Sequence, residues 1–196
     1  MEKALENLSG YKILLASHSP RRRELLGLLG IEFELAETIE VDERYPAEMR
    51  AEKVAAFLSA KKSSAYRTSL QAGQLVITAD TVVIIDNRIL GKPKDLDEAR
   101  KMLHTLSGRP HRVITGVTLA TIDKTVTFDV TTQVNFSTLT DEEIDFYVDK
   151  FRPLDKAGAY GIQEWIGAIG IKSIEGSYYN VMGLPLHRLY TELSQI

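Results

Sequence analysis

The chain contains no cysteine, which excludes disulfide bonds and thiolate metal sites and fits a reducing compartment. It also lacks an apolar run of about 18 residues, the length that a membrane-spanning helix needs. A strong charge of either sign is missing too: the net charge is −3, so no overall positive field attracts nucleic acid. We therefore expect a cytoplasmic protein that binds neither nucleic acid nor a membrane.

The composition that is present is ordinary for a globular protein, with 44% apolar and 26% charged residues in a chain of 196. This length suits one domain, or two lobes that share a sheet. Strand patterns alternate with helical patterns in the first half of the chain, and hairpin patterns follow in the second half. The order predicts a mixed α/β fold built around a curved sheet that helices flank.

Local signals define most of the expected elements. Asp86-Asn87 fits a hairpin turn, and Thr140 begins a capping box. The predicted strands cover residues 11–17, 31–36, 74–85, 88–90, 111–121, 125–137 and 168–174. The predicted helices cover residues 20–29, 50–66, the stretch between Asp95 and Gly108, 141–150 and 185–194. The four histidines lack metal-ligand spacing and are interpreted as structural or surface residues.

The start of the helix predicted at residues 20–29 has the properties of an anion site. Pro20 fits the first helical turn and Ser19 fits the N-cap before it, so free backbone amides point outward there. Arg21 and Arg22 add guanidinium groups whose geometry matches phosphate oxygens. This combination indicates binding of a polyphosphate or a nucleotide. The alternative is that the arginines are ordinary solvent-exposed residues at the start of a helix and bind no ligand.

Asp80 interrupts an otherwise apolar, β-branched strand. A buried carboxylate there needs a metal, a cation or hydrogen-bond donors, which points to a metal ligand or a general base. The alternative is a strand end at which the side chain reaches water. Lys92 follows one hairpin later and, if the strands pair, returns to the neighbourhood of Asp80, although such a loop can also be a simple turn.

Two further segments offer polar groups for a nucleotide. The acidic loop at residues 40–43 carries hard oxygen ligands of the kind that Mg²⁺ or Mn²⁺ shares with phosphates, or is only solvated surface. The glycine-rich string at residues 156–163 ends in Gln163, whose amide both donates and accepts hydrogen bonds, as recognition of a base edge requires. The alternative for that string is a loop that only turns the chain.

Six strings of the sequence resemble the Maf family of nucleoside triphosphate pyrophosphatases. They lie at residues 15–26, 78–83, 90–95, 106–111, 154–163 and 176–185, in order over almost the whole chain. The resemblance implies a single domain over residues 1–196 with two lobes and a central cleft, similar to inosine triphosphate pyrophosphatases. It also implies a homodimer and a divalent metal cofactor, Mg²⁺ or Mn²⁺.

The resemblance further implies roles for individual residues. Asp80 falls on the catalytic carboxylate that accepts the proton of the attacking water. The positions that set nucleotide choice are Arg21, Thr81 and Gln163. The phosphate-binding positions are Ser17, Arg22, Lys62 and Lys92. The metal-site carboxylates are Asp80 and Glu43, with Asp42 competing for the role of Glu43.

The strings around Thr81 and Gln163 look like the branch of the family that acts on dTTP and UTP. Hydrolysis to the monophosphate and pyrophosphate is therefore the expected activity, on these or on modified pyrimidine nucleotides. The alternatives are a 7-methyl-GTP pyrophosphatase and a nucleotide-sensing regulator of cell division without turnover. One departure concerns Glu164, which stands where the family commonly has glycine.

Overall fold

A mixed sheet organises the computed structural model, which describes residues 5–196. Within those residues the sheet has seven strands: β1 Lys12–Ala16, β2 Glu34–Leu35, β3 Gln74–Ile85, β4 Arg88–Leu90, β5 Pro110–Ala120, β6 Thr125–Phe136 and β7 Ile171–Glu175. The strand order is β2-β1-β3-β5-β6-β7, and β4 pairs with β3 off this path. Strand β1 is parallel to β2 and β3, whereas the β3–β4 and β6–β7 pairs are antiparallel.

Helices connect and follow these strands, which confirms the predicted mixed α/β class. The α-helices of the described chain are α1 Pro20–Gly27, α2 Ala51–Tyr66, α3 Leu96–Leu106, α4 Asp141–Phe151, α5 Trp165–Gly170, α6 Tyr178–Met182 and α7 Leu186–Leu193. Short 3-10 helices lie at Glu6–Leu8 and Ala157–Ala159. Between residues 5 and 196, no helix combines the length and the apolar character needed to cross a bilayer.

Several boundaries differ from the sequence predictions. Helix α1 ends at Gly27 instead of residue 29, and β2 covers only two of the six residues expected for that strand. The stretch at residues 165–170, expected to be a loop running into a strand, is helix α5, so β7 begins only at Ile171. Expected hairpin geometry is confirmed, because Asp86 and Asn87 both have positive φ, as a two-residue turn of this hand requires.

Residue contacts divide the chain into two units. Unit 1 runs up to Asp80 and also contains Thr115–Val130 and Gly183–Ile196. Unit 2 contains Thr81–Ile114 and Thr131–Met182. Strands β3, β5 and β6 therefore contribute residues to both units.

In unit 1, helix α2 lies directly against the sheet. The Thr78 hydroxyl on β3 donates to the backbone oxygen of Ser59 (2.7 Å), and the Ser59 hydroxyl lies 3.0 Å from that of Thr118 on β5. Gly116 on β5 touches the helix backbone so closely that a Cβ atom there would lie 2.3 Å from the carbonyl carbon of Ala55. These contacts fix the helix and the side chains of its last turns relative to β3.

In unit 2, helices α3 and α4 begin with the expected caps. Asp95 accepts a hydrogen bond from the Glu98 amide (2.7 Å), and Thr140 and Glu143 form a complete capping box. The two helices are joined by Arg100, whose guanidinium contacts carboxylates on α4 at 2.7 and 2.5 Å, those of Asp145 and Asp149. The local sequence signals therefore identified both helices and their starting residues.

His111 lies in the interior of unit 2 with 2% of its surface exposed. Its Nε2 atom is 2.7 Å from the Tyr160 hydroxyl oxygen, and its ring meets those of Phe136 and Tyr160 edge-on. Burial lowers the pKa of His111 to about 4. The prediction that this histidine is structural agrees with this position.

Protonation of His111 should make stability depend on pH. In the unfolded chain its pKa is about 6.5, so on acidification the unfolded state takes up the proton first and the folded state loses stability between about pH 6.5 and pH 4. We expect the free energy of unfolding to fall by about 2 kcal/mol between pH 7 and pH 5 through this residue alone. Urea unfolding of a His111→Gln variant should lack this slope. The exposed His187 provides the control, because His187→Gln should retain it.

Candidate active site

The end of strand β1 brings several of the predicted residues together in unit 1. Ala16, the last residue of β1, is opposite Thr78 on β3, so Ser17 and Asp80 both lie just beyond the point at which the β1–β3 pairing ends, although β3 itself continues to Ile85. The predicted site residues in unit 1 are Ser17, Arg21, Arg22, Glu43, Lys62 and Asp80. Those in unit 2 are Thr81, Lys92 and Gln163.

Asp80, Lys62 and Glu43 form a cluster of alternating charge. The Lys62 ammonium, on the last turns of α2, lies 2.6 Å from Asp80 Oδ1 and 2.8 Å from Glu43 Oε1. The side chain of Asp80 is 13% exposed and that of Lys62 is 20% exposed. Desolvating a carboxylate to this degree requires a compensating charge, which the ammonium supplies. Of the three partners that the sequence allowed for Asp80, a metal, a cation or hydrogen-bond donors, the structure provides a cation, the Lys62 ammonium.

Arg22 ties the start of α1 to this cluster through the main chain. Its Nε donates to the Gly183 oxygen and one Nη donates to the Ala79 oxygen, both at 2.8 Å. Burial lowers the pKa of Arg22, while the nearby carboxylate of Asp80 acts in the opposite direction. The guanidinium thus has a fixed position one residue from Asp80. Its predicted phosphate contacts stay a prediction.

The helix start itself has the expected geometry. Pro20 is the first residue of α1, Ser19 occupies the N-cap position, and the Ser17 hydroxyl accepts the Ser19 amide at 3.2 Å. Arg21 lies in the first turn, half-buried, and its charge further lowers the pKa of Arg22. Two arginines therefore lie in the first turn, at the positive end of the helix dipole.

The two acidic residues that competed for the metal role have different partners. Asp42 is bound by Arg44, whose guanidinium lies 2.9 Å away and whose backbone amide donates at 3.1 Å. These hydrogen bonds lower the pKa of Asp42. Glu43 instead shares Lys62 with Asp80. The geometry therefore associates Glu43, and not Asp42, with the Asp80 cluster.

The donor set at Asp80 suits a hard cation. Among residues 5–196, no group of three or more histidine or acidic side chains is arranged to hold a metal ion by itself. Two carboxylates, Asp80 and Glu43, nevertheless share one positive partner. Because Mg²⁺ is bound in many sites by one or two carboxylates together with substrate phosphates, this pair fits such an ion when a polyphosphate is present.

In unit 2, Gln163 lies on an exposed turn. The Glu164 amide donates to the Gly161 oxygen at 3.0 Å and closes the turn. Below it, the buried Tyr147 hydroxyl accepts a hydrogen bond from the Gly161 amide (3.1 Å) and donates one to Glu164 Oε2. Glu164 Oε1 lies 3.0 Å from the Lys156 ammonium. Burial raises the pKa of Tyr147, so its hydroxyl keeps the proton that it donates.

This support was missed in the sequence. Tyr147 gives no motif signal, because it lies on the apolar face of α4 like any core residue. Lys156 had a usable sequence signal, because a lysine directly before a run of small residues stands out. In the structure it is 8% exposed, and a lysine at this depth needs an acidic partner. The partner, Glu164, was identified only as a departure from the family pattern.

Thr81 and Lys92 lie on the two strands of the β3–β4 hairpin or next to them. Val83 is opposite Leu90, and extending this register would place Lys92 opposite Thr81. Thr81 is half-buried and Lys92 is exposed. The Gly91 oxygen accepts the Gly158 amide at 3.0 Å, so the loop that carries Lys92 is bound to the glycine-rich string.

Comparison with known proteins places this sequence in a family. Residues 12–196 match the family model described as Maf-like protein. The chain belongs to the Maf-like family. The resemblance seen in six separate strings of the sequence is thereby confirmed over nearly the whole chain.

Relatives of this Maf-like chain include well-matched bacterial proteins. It is 52% identical over 192 residues to a dTTP/UTP pyrophosphatase of Phocaeicola vulgatus, covering 98% of this chain and all of the relative. It is 55% identical over 191 residues to a dTTP/UTP pyrophosphatase of Porphyromonas gingivalis strain W83, covering 96% of each.

Solved structures with little sequence similarity share the fold. The Ham1 protein of Staphylococcus aureus matches with a TM-score of 0.57 at 16% identity, covering 94% of this chain and 98% of that one. A HAM1 protein from Coxiella burnetii matches with a TM-score of 0.50 at 16% identity, covering 95% and 100%. These matches agree with the mixed α/β class of this Maf-like chain.

Proposed function

We propose that this chain is a nucleoside triphosphate pyrophosphatase that hydrolyses dTTP and UTP to the monophosphate and pyrophosphate. The observation that carries the proposal is the Asp80–Lys62–Glu43 cluster beside Arg22. This cluster lies in a chain whose sequence is 52% to 55% identical, over nearly its whole length, to proteins named dTTP/UTP pyrophosphatase. Carboxylates next to fixed cations are what hydrolysis of a phosphoanhydride requires.

The charged groups divide the work of this reaction. Asp80 accepts the proton of the water that attacks the α-phosphorus. The triphosphate competes for the ammonium of Lys62, which frees the Asp80 carboxylate when substrate is bound. The residues assigned to phosphate binding are Ser17, Arg22, Lys62 and Lys92. The Ser17 hydroxyl donates a hydrogen bond, and the positive charges of the other three residues stabilise the negative charge that develops on the leaving pyrophosphate.

A divalent metal, Mg²⁺ or Mn²⁺, belongs to this proposal. Asp80 and Glu43 would hold it, and it would supply neutralisation of the phosphate charge. Treatment with EDTA should therefore stop turnover, and adding back Mg²⁺ or Mn²⁺ should restore it. We further propose a cytoplasmic homodimer.

Base choice is assigned to Gln163, Thr81 and Arg21. Uracil and thymine present an acceptor, a donor and a second acceptor along one edge, and an amide can pair with two neighbouring members of that set. A cytosine edge presents a donor at position 4 and an acceptor at N3, the reverse of uracil and thymine, so a Gln163 amide held in the orientation that fits uracil is mispaired with cytosine. Preference for dTTP and UTP over CTP follows from this pairing.

Pyrophosphate release by the purified protein tests the function. We would measure it with Mg²⁺ or Mn²⁺ on dTTP, UTP, CTP, GTP and 7-methyl-GTP. Turnover concentrated on dTTP and UTP is the expected result. Turnover on 7-methyl-GTP alone would retain the chemistry and refute the substrate assignment. Binding of these nucleotides without turnover of any of them would instead support the alternative function, a nucleotide-sensing regulator without enzymatic activity.

Replacing Gln163 should change base selectivity. We expect Gln163→Ala to lower the ratio of kcat/KM for UTP to that for CTP by about tenfold, because one neutral hydrogen-bond pair is lost. Gln163→Glu should move the ratio further toward CTP, since a carboxylate accepts from the cytosine amino group. The exposed Gln71 in unit 1 is the matched control. An unchanged ratio in folded Gln163→Ala would refute this assignment.

A further inference from the structure

The turn that carries Gln163 is held by interior groups at both of its ends. At one end the Gly161 amide donates to the Tyr147 hydroxyl (3.1 Å). At the other end the Glu164 side chain accepts the hydrogen of that same hydroxyl. One tyrosine oxygen therefore bridges the two ends of a turn that is also closed by its own backbone hydrogen bond of 3.0 Å.

The second oxygen of Glu164 extends this bridge to a buried charge. The Lys156 ammonium lies 3.0 Å from Glu164 Oε1 and 2.8 Å from Asp155 Oδ1, and the lysine side chain is 9% exposed. Because an ammonium at this depth is costly to leave unpaired, Lys156 restrains Glu164 strongly. Tyr147, Glu164 and Lys156 thus form one continuous network of hydrogen bonds beneath the turn.

Close packing leaves the turn little room to move. A Cβ atom on Gly161 would lie 3.0 Å from Glu164 Cδ and 3.1 Å from Lys156 Cε. A Cβ atom on Gly167, in α5, would lie 1.9 Å from the Ile162 oxygen. The backbone on both sides of Gln163 is therefore in contact with fixed atoms.

We propose that Tyr147 and Glu164 are positioning residues for base recognition. They hold the main chain of the turn so that the Gln163 amide is presented to the nucleobase in one orientation. This inference rests on the proposed function, in which Gln163 reads the base. The exposed Gln163 side chain has rotamer freedom of its own, so a fixed main chain is needed to limit the positions that its amide can reach.

The ring of Tyr147 is held by contacts other than its hydrogen bonds to the turn. The Tyr147 ring is fully buried on α4 and stacks on Phe151 with centroids 5.1 Å apart. These ring contacts do not involve the hydroxyl. Tyr147→Phe therefore keeps the packing of the ring and removes only the bridge to Gly161 and Glu164.

The decisive experiment compares UTP and CTP with Tyr147→Phe. We expect its KM for UTP to rise about fivefold and the UTP-to-CTP ratio of kcat/KM to fall about fivefold, with kcat for UTP changed less than about twofold. The matched control is Tyr160→Phe, which removes another buried hydroxyl, the one 2.7 Å from His111 Nε2. That control should lower thermal stability and leave the ratio unchanged, because its hydrogen bond does not involve the turn.

A second variant tests the other member of the pair. Glu164→Gln keeps the size of the side chain but directs an amide group at the Lys156 ammonium or at the Tyr147 hydroxyl, so it should lower the ratio in the same direction. The double variant should be no worse than the more affected single variant, because both break one network. Should Tyr147→Phe fail to fold, the ratio measured for Glu164→Gln decides alone.

The outcomes separate this inference from the function beneath it. Absence of dTTP and UTP hydrolysis in the unmodified protein would refute the proposed function itself. Normal hydrolysis with an unchanged ratio in folded Tyr147→Phe and Glu164→Gln would overturn only the positioning role, provided that Gln163→Ala changes the ratio. If Tyr160→Phe also changed the UTP-to-CTP ratio, general destabilisation of unit 2 would explain the change. That result would overturn the positioning role as well.

Discussion

Replacing Asp80 with asparagine is expected to lower kcat for dTTP and UTP by about a thousandfold or more while the protein remains folded. The amide keeps the shape of the side chain but cannot accept the proton of the attacking water. It also removes one of the two carboxylates that surround Lys62 at 2.6 and 2.8 Å. Single-turnover pyrophosphate release would measure the chemical step, and circular dichroism melting would verify the fold.

Asp86, directly after the strand β3 that carries Asp80, provides a matched control variant. Asp86 pairs with Arg109 at 2.6 Å and is 62% exposed, so Asp86→Asn changes the same functional group outside the cluster. Asparagine tolerates the positive φ of that turn position. We expect Asp86→Asn to retain activity within about twofold, a change too small to reflect loss of a catalytic group. If Asp80→Asn behaved in the same way, Asp80 would not be the catalytic carboxylate.

Adding one methyl group at Gly116 is expected to destabilise the protein severely. The Cβ atom of Gly116→Ala would lie 2.3 to 2.4 Å from backbone atoms of Ala55 and Ala56, and no side-chain rotation relieves a clash with backbone. Helix α2 would have to move away from β5. We expect the free energy of unfolding to fall by about 3 kcal/mol or more, the upper end of the range for overpacking. Urea unfolding measures this directly.

Gly27 offers the same substitution with the opposite expected sign. It lies on α1, its side-chain position is open, and nothing lies within 4 Å of a Cβ atom there. Gly27→Ala should be neutral or should stabilise the protein by up to about 1 kcal/mol, because alanine favours the helix. Equal stability of Gly116→Ala and Gly27→Ala would mean that α2 does not contact β5 as closely as described. Since Lys62 lies on α2, displacement of this helix should also reduce activity.

Local chemistry explains which parts of the fold the sequence could predict. The Asp86-Asn87 turn, the Asp95 cap and the Thr140 capping box each depend on residues a few positions apart, and all three are confirmed. Helix α5 was missed because its sequence, Trp-Ile-Gly-Ala-Ile-Gly, has two glycines and the apolar character of a strand. Its helical form is set by packing, which brings Gly167 against the Ile162 carbonyl.

For the candidate site as well, the sequence predicted what depends on local residues and missed what depends on distant ones. The types of residue were readable from the sequence: arginines at a helix start predicted an anion site, and a carboxylate in an apolar strand predicted a metal ligand or a general base at the sheet's edge. The partners were not readable, because they join distant positions. Arg22 binds the Gly183 oxygen 161 residues away, and Lys62, with no distinguishing local signal, contacts both Asp80 and Glu43. Such pairings follow from the sheet register and the placement of α2.

In the turn at residues 161–164, the exposed side chain of Gln163 should tolerate mutation better than the buried residues that hold the turn. The partners of the turn are buried: Tyr147 binds the Gly161 amide, and Lys156 binds the Glu164 side chain. Changes to either partner therefore reduce the amount of folded protein. The Gln163 side chain is exposed, and its replacement leaves those buried contacts in place. Neutral drift can therefore sample new residues at this one position at little risk to the fold. If Gln163 reads the base as proposed, a lineage carrying this architecture is free to diverge in substrate preference faster than it diverges in structure.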